Sequence, residues 1–247
     1  NGRVMDPETG LDAKRNVGIR DGRIVKLTRR TIAGANVIDA AGQVVTAGFI
    51  DPHFHWARPM GYKLGLRDGV TTAMDLEFGA LGSRVERWYE QRRGKTQLNY
   101  GTSSSHELAR SLVLDEAEAI DAPAAGATRA AGSGWSRTVP TPSQSAEILR
   151  ILDQGLNAGA VGIGSTLGYM PGVTAQEMFA VQQLAGDYGR QTSVHLRHTP
   201  GTASTEVHGA QEVLANAVAL GAPLSINHFN NPGWPQVQDL LQKVRAQ

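Results

Sequence analysis

A rhythm that begins at Val44 constrains this chain more than any other feature: six short apolar runs of strand length alternate with segments of helical length. Val44–Ile50, Val70–Glu77, Thr96–Gly101, Ala160–Gly164, Thr192–Leu196 and Leu224–His228 are the expected strands. Tyr62–Arg67, Ser83–Arg92, Gln144–Ala158 behind a Ser143 cap, Thr174–Tyr188, Glu206–Leu220 and Val237–Gln247 are the expected helices. Alternating strands and helices pair in parallel through right-handed crossovers. The fold class is therefore α/β, as an open parallel sheet or a (β/α)8 barrel. No Gly-x-Gly-x-x-Gly follows a first strand and no Gly-x-x-x-x-Gly-Lys-Ser/Thr occurs, which excludes the dinucleotide and P-loop folds.

The positions of the histidines favour the barrel. The first strand runs into Asp51-Pro52-His53-Phe54-His55, and in extended chain residues two apart share a face. Asp51, His53 and His55 then point one way. Two imidazoles roughly 6–7 Å apart along a strand can meet on one metal ion or on a close pair. His195 and His228 fall at the ends of the last two strands. In a barrel such ends converge on one mouth, where the active site lies. Glu77 ends the second strand and alternates with Asp75, so it reads either as a carboxylate bridging two metals or as an ion-paired group at the rim. Imidazole with carboxylate suits zinc, nickel, manganese or iron. Zinc, as one or two divalent ions, is the default for hydrolysis. Six strands do not close a barrel, so only part of one is expected.

Residues 1–43 read as a small β unit and 44–247 as the barrel domain. The expected strands of the first are Val4–Met5, Asn16–Ile19, Arg23–Leu27 and Asn36–Asp39, with a hairpin at Arg20-Asp21-Gly22-Arg23. Asn1–Asp6 resembles a hairpin turn with half its hairpin missing, and both ends are abrupt, so a portion of a longer protein is expected. Residues 115–142, rich in Ala and Gly, form a long connection that is either a lid or disordered. Small residues in Ala160–Gly164 permit close approach of backbone or ligand.

A net charge of +1 argues against nucleic acid or an anionic membrane as partner, and no apolar run approaches a membrane span. With no cysteine, a disulfide framework, a thiolate metal site and a thiol nucleophile are excluded. A cytoplasmic protein is expected, and an oligomer is possible.

The segment Val45-Thr46-Ala47-Gly48-Phe49-Ile50-Asp51-Pro52-His53-Phe54-His55, followed by Gly69-Val70-Thr71-Thr72, resembles the amidohydrolase superfamily. Ala158–Gly164, Tyr169-Met170-Pro171-Gly172-Val173, Ser193-Val194-His195-Leu196-Arg197 and Ile226-Asn227-His228-Phe229 resemble its N-acyl-D-amino-acid deacylase (D-aminoacylase) branch. The resemblance implies a TIM-like barrel with a small β-sandwich to which residues 1–43 contribute. It implies His53 and His55 on the more buried metal, His195 and His228 on the second, and zinc as the ion. The implied activity is cleavage of the amide bond of N-acyl-D-amino acids by a metal-activated hydroxide. Tyr169 would face the substrate carboxylate or the oxyanion. His106 and Arg110 match a His-x-x-x-Arg segment, with Arg110 pairing the carboxylate of a small-molecule substrate.

Two departures stand out. The branch carries a cysteine ligand just after the Gly-Val-Thr-Thr strand; here Phe78 stands there, with Glu77 beside it as the substitute bridge. A carboxylated lysine is not available, because no lysine lies between Lys95 and Lys243. The catalytic aspartate of the family has no counterpart before Gln247 and is expected beyond it. The competing readings are a hydantoinase-like or dihydroorotase-like cyclic amide hydrolase and a catalytically silent metal-binding barrel.

Overall fold

The structure is a computed structural model that describes residues 1–55, 57–116, 134–197, 206–228, 238–239 and 241–243. The chain divides into two compact units, Asn1–Phe49 and Ile50–Gln247.

In the first unit, β1 (Gly2–Asp6), β2 (Leu11–Arg20), β3 (Arg23–Thr28) and β4 (Val44–Val45) form one sheet in the order β3-β2-β1-β4. Asp21 and Gly22 carry the positive φ angles, 51° and 72°, of a two-residue hairpin whose twist matches its strands. Asn1–Asp6 is not a half-hairpin turn: Gly2 to Asp6 pairs in full, antiparallel, with Arg15 to Leu11. Asn36–Asp39 does not become a strand. The second edge of β1 is taken by β4 in parallel, and Val37 and Ile38 are left exposed.

Val44–Ile50 does not run as one strand either. It serves two sheets, with β5 (Phe49–Asp51) pairing in the larger one. That sheet holds β6 (Val70–Ala80), β7 (Asn99–Ser105), β8 (Gly162–Ser165), β9 (Gln191–Val194) and β10 (Leu224–Ile226) in the order β10-β9-β8-β7-β6-β5. The pairs from β6 to β10 are all parallel. Each strand lies beside the next in sequence, which is barrel order and not the reversing order of a doubly wound sheet. The sheet is a curled half-barrel.

β7 extends through the polar run to Ser105, further than its apolar residues suggest. Small side chains are needed there. A Cβ on Gly79 would lie 2.2 Å from Ser103 Oγ, one on Gly155 would lie 2.3 Å from Ser104 Oγ, and one on Gly164 would lie 2.5 Å from Ser103 Oγ. Gly164 also packs against the backbone oxygens of Leu76 and Glu77, so the close approach expected at this strand is that of backbone.

The helices are α1 (Pro59–Arg67), α2 (Val85–Glu90), α3 (His106–Leu114), α4 (Gly134–Arg137), α5 (Pro142–Asn157), α6 (Ala175–Asp187) and α7 (Glu206–Leu220). The α5 cap is Thr141 and not Ser143: Thr141 and Gln144 exchange the bonds of a capping box, and Pro142 opens the helix. Ile148, Ile151, Leu152 and Leu156 then fall on one stripe and are buried. They join Ile163, Leu167, Met178, Val181 and Val194 in the main core. Of the 115–142 connection, residues 117–133 lie outside the described residues, as does most of Val237–Gln247. Among the described residues no helix is long and apolar enough to cross a membrane.

Candidate metal centre

The site is built around Glu77, and a bulge in β6 puts it there. β6 and β7 pair regularly from Thr72↔Asn99 to Asp75↔Thr102, then resume at Ala80↔Ser104, so residues 76–79 of β6 stand opposite Ser103 alone. Asp75 Oδ1 accepts the N–H groups of Phe78 and Gly79, each at 3.2 Å, and closes the bulge. Gly79 has a φ of 76° that a residue with a side chain takes only under strain.

So aimed, the buried Glu77 carboxylate meets four imidazoles. Oε2 lies 2.5 Å from His53 Nε2 and 3.2 Å from His55 Nε2. Oε1 lies 2.7 Å from His195 Nδ1 and 3.2 Å from His228 Nε2. β5 itself ends at Asp51, and His53 sits in an isolated bridge opposite Asp75. The two-residue spacing still brings His53 Nε2 and His55 Nε2 to 2.8 Å. His228 has a φ of 33°, and this left-handed turn at the end of β10 places its ring 4.2 Å from that of His195. Asp75 Oδ1 lies 3.3 Å from His55 Nδ1.

The electrostatics are those of one anion shared among histidines. Hydrogen bonding to Asp75, then to Glu77, raises His55 to about 10. Burial alone pushes the Glu77 carboxyl up, but hydrogen bonds from His195, His53 and His55 outweigh it and hold the group far below the usual carboxylate range. Burial, joined by repulsion from His195 and His53, lowers His228 despite its hydrogen bond to Glu77.

This set fits a divalent cation. Ligand atoms of His53, Glu77 and His228 lie within 4.8 Å of one another, and imidazole with carboxylate is the donor chemistry of borderline metals. His195 Nε2 is buried without a hydrogen-bond partner among the described residues, an orphan that a protein group would ordinarily satisfy. A Cβ on Gly168 would stand 2.6 Å from His195 Cδ2, so the residue there must be bare for the ring to sit where it does. Tyr169, 41% exposed on the turn after β8, holds its ring 4.5 Å from that of His195 at a tilt of 43°.

The structure thus brings His53, His55, Glu77, His195, His228 and Tyr169 together. It places His106 and Arg110 elsewhere. Both are wholly buried. His106 bonds Ser165 Oγ and Glu177 Oε1, each at 3.0 Å. Arg110 Nη1 donates to both oxygens of Glu177 at 2.6 and 2.7 Å, Nε to the Trp135 carbonyl and Nη2 to the Thr138 carbonyl. The expected pairing of Arg110 with a substrate carboxylate is therefore corrected: its guanidinium serves an internal ion pair. Burial holds His106 below its usual value. Burial also pushes Glu177 up, but His106 and Arg110 more than reverse this and leave it lowered.

Glu177 escaped the sequence reading because Thr174-x-x-Glu177 has the form of a capping box. Thr174 does accept the Glu177 N–H at 3.1 Å, but the carboxylate turns inward to Arg110. The closure of the bulge by Asp75 was equally invisible, since the pairing partner of β6 is not a local property.

A family model described as the amidohydrolase family matches residues 36–239, most of the chain. The chain belongs to the amidohydrolase family. Members of that family use divalent metals and act on small-molecule substrates. Among solved structures, D-aminoacylase superposes with a TM-score of 0.76 at 21% identity, over 99% of this chain and 55% of that one. The N-acyl-D-glutamate deacylase of Bordetella bronchiseptica, complexed with zinc and a phosphonate inhibitor, superposes with a TM-score of 0.73 at 20% identity over the same shares. The dihydroorotase of Streptococcus pneumoniae serotype 4 is 42% identical over 84 residues, which are 34% of this chain and 18% of that protein. The chain spans little more than half the length of the solved amidohydrolases, and the likeness to them shows a shared D-aminoacylase-like half-barrel.

Proposed function

We propose that this amidohydrolase hydrolyses the amide bond of N-acyl-D-amino acids, with one or two zinc ions held by His53, His55, His195, His228 and Glu77. The observation that carries the reading is the convergence of four imidazoles on the buried Glu77 carboxylate, with His195 Nε2 buried and unpartnered among the described residues. When bound, such a cation supplies Lewis-acid polarisation of the carbonyl and a water of lowered pKa.

The residues of the chain do the rest. Glu77 stands beside the position where the branch has a cysteine and keeps the four rings oriented toward one point. Asp75 fixes His55 from behind, which sets the ring's tautomer and leaves Nε2 for the site. The phenol of Tyr169, whose ring lies beside that of His195, is the donor for the oxyanion that develops as the amide carbonyl is attacked. A carboxylate on the substrate belongs to this reading, and so does a cytoplasmic location.

Hydrolysis of a cyclic amide is the second reading, favoured by the 84-residue likeness to dihydroorotase. The absence of any lysine between Lys95 and Lys243 removes the lysine bridge that this reading needs.

The protein is stripped with a chelator, reloaded with zinc, and assayed for amine release from N-acetyl-D- and N-acetyl-L-amino acids and for ring opening of dihydroorotate. Zinc-dependent release from the D series, abolished together with bound zinc in His53→Ala, is the expected result. Zinc retained by His53→Ala would overturn the site, and turnover of dihydroorotate alone would overturn the substrate.

A further inference from the structure

We propose that Arg110 and Ser136 are positioning residues which, through the one-turn helix α4, hold the turn bearing Tyr169 and set its ring against His195. The inference rests on the role of Tyr169 proposed above.

A helix of one turn does not hold itself, because its nucleation is not repaid by further turns. α4 is instead tied at both ends to α3 and the residue that caps it. Asp115 Oδ1 accepts the Gly134 N–H at 3.0 Å and Oδ2 accepts the Trp135 N–H at 2.9 Å. From the same side Arg110 donates to the carbonyls of Trp135 and Thr138, each at 2.6 Å. α4 passes the restraint on. Ser136 Oγ donates to the Tyr169 carbonyl at 2.7 Å, and the Ser136 carbonyl accepts the Gly172 N–H at 2.8 Å. A Cβ on Gly172 would stand 2.5 Å from the carbonyl carbon of Arg137, so α4 and the Tyr169–Gly172 turn lie backbone against backbone. At the end of this path the Tyr169 ring lies 4.5 Å from that of His195.

A fully buried arginine needs a reason, since an apolar side chain of similar volume fills a core at least as well as a buried ion pair. What Arg110 provides and an apolar side chain does not is directed N–H groups on two carbonyls of one short element. Glu177 keeps the guanidinium neutralised while its other donors face α4.

The test uses the full zinc-loaded chain labelled with 3-fluorotyrosine and read by 19F NMR. The chain has five tyrosines, and the Tyr169 resonance is identified by its loss in Tyr169→Phe. Ser136→Ala removes one hydroxyl donor without changing charge. It is expected to move or broaden the Tyr169 resonance alone, with Tyr62, Tyr89, Tyr100 and Tyr188 unmoved as reporters of the fold. It should also lower kcat about tenfold with KM changed less than about twofold, as for a misplaced group remote from binding. Ser136→Thr should restore both readings, and Arg110→Lys, which keeps the charge and loses the fork, should move the same resonance. An unmoved Tyr169 resonance in Ser136→Ala overturns the inference whatever happens to activity. Absence of turnover in the parent protein would count against the proposed function, while the resonance still decides the positioning.

Discussion

Glu77 stands among the four histidines because Asp75, two residues before it, closes the bulge in β6. One Asp75 oxygen accepts the N–H groups of Phe78 and Gly79 and also faces His55 Nδ1 at 3.3 Å. A single carboxylate therefore places one proposed ligand and orients another. Substituting Asp75 by Ala is expected to weaken zinc binding about 10–100-fold, the usual cost of removing a group that orients metal ligands. Asp75→Asn keeps an acceptor for the bulge and should lose less. Competition with a chromophoric chelator measures both; equal affinities for the parent and Asp75→Ala would refute the coupling.

Gly168 carries the close contact on the other side of the site. A Cβ there would lie 2.6 Å from His195 Cδ2 and 2.5 Å from the Leu196 carbonyl oxygen, which is backbone and cannot swing aside. Gly168→Ala is expected to displace His195 and to lower zinc occupancy by elemental analysis. The transition of the metal-free protein should fall as well, by about 1–3 kcal/mol, the range for overpacking.

Arg110 is the residue whose expected role changes most between sequence and structure. As a surface partner for a substrate carboxylate, its replacement by Ala would raise KM and leave stability alone. Buried against Glu177, the replacement leaves an uncompensated carboxylate and should cost about 3–5 kcal/mol in urea unfolding. Arg110→Met, matched in volume, has the same charge defect and should not rescue; the double variant Arg110→Met with Glu177→Gln should. A raised KM with an unshifted urea midpoint would restore the sequence-based role.

The same network gives a pH dependence. His106 is held neutral below its ordinary value of 6.5, so below that pH the unfolded chain binds a proton that the folded chain does not. Glu177 is lowered from 4.5, so its contribution is present above that pH and is lost as pH falls through the folded value. Both act in one direction. The contribution of this network to stability should fall as pH drops from about 7 toward 4, by at most about 1.4 kcal/mol per pH unit for each group titrating. Thermal unfolding of the parent and of His106→Gln across this range measures it, with a shallower fall in the variant between about pH 6.5 and 5. Parallel curves would show that His106 does not carry the dependence.

Much of the site was legible because it depends on short-range spacing. His53 and His55 meet through an alternation that any extended segment imposes, and His195 and His228 were identifiable as residues at strand ends that a barrel gathers. The strands whose apolar runs stop at glycine or turn residues were found within a few positions. Asn36–Asp39 was misread, since an apolar alternating run becomes a strand only where an edge is free to accept it. β7 was cut short because Thr102–Ser105 is polar, although the strand needs small side chains there to admit Gly79, Gly155 and Gly164.

By itself, then, the sequence determined the α/β order of elements, the histidine-bearing strand ends and the lack of cysteine and of any lysine between Lys95 and Lys243. These follow from local periodicity and residue identity. The tertiary structure alone decided that Asp75 closes a bulge, that Gly168 makes room for His195, and that Arg110 turns inward to Glu177. The bulge exists only against the pairing with β7, the other two join groups from different elements, and whether a charged side chain faces water or a buried partner is settled only when the elements pack.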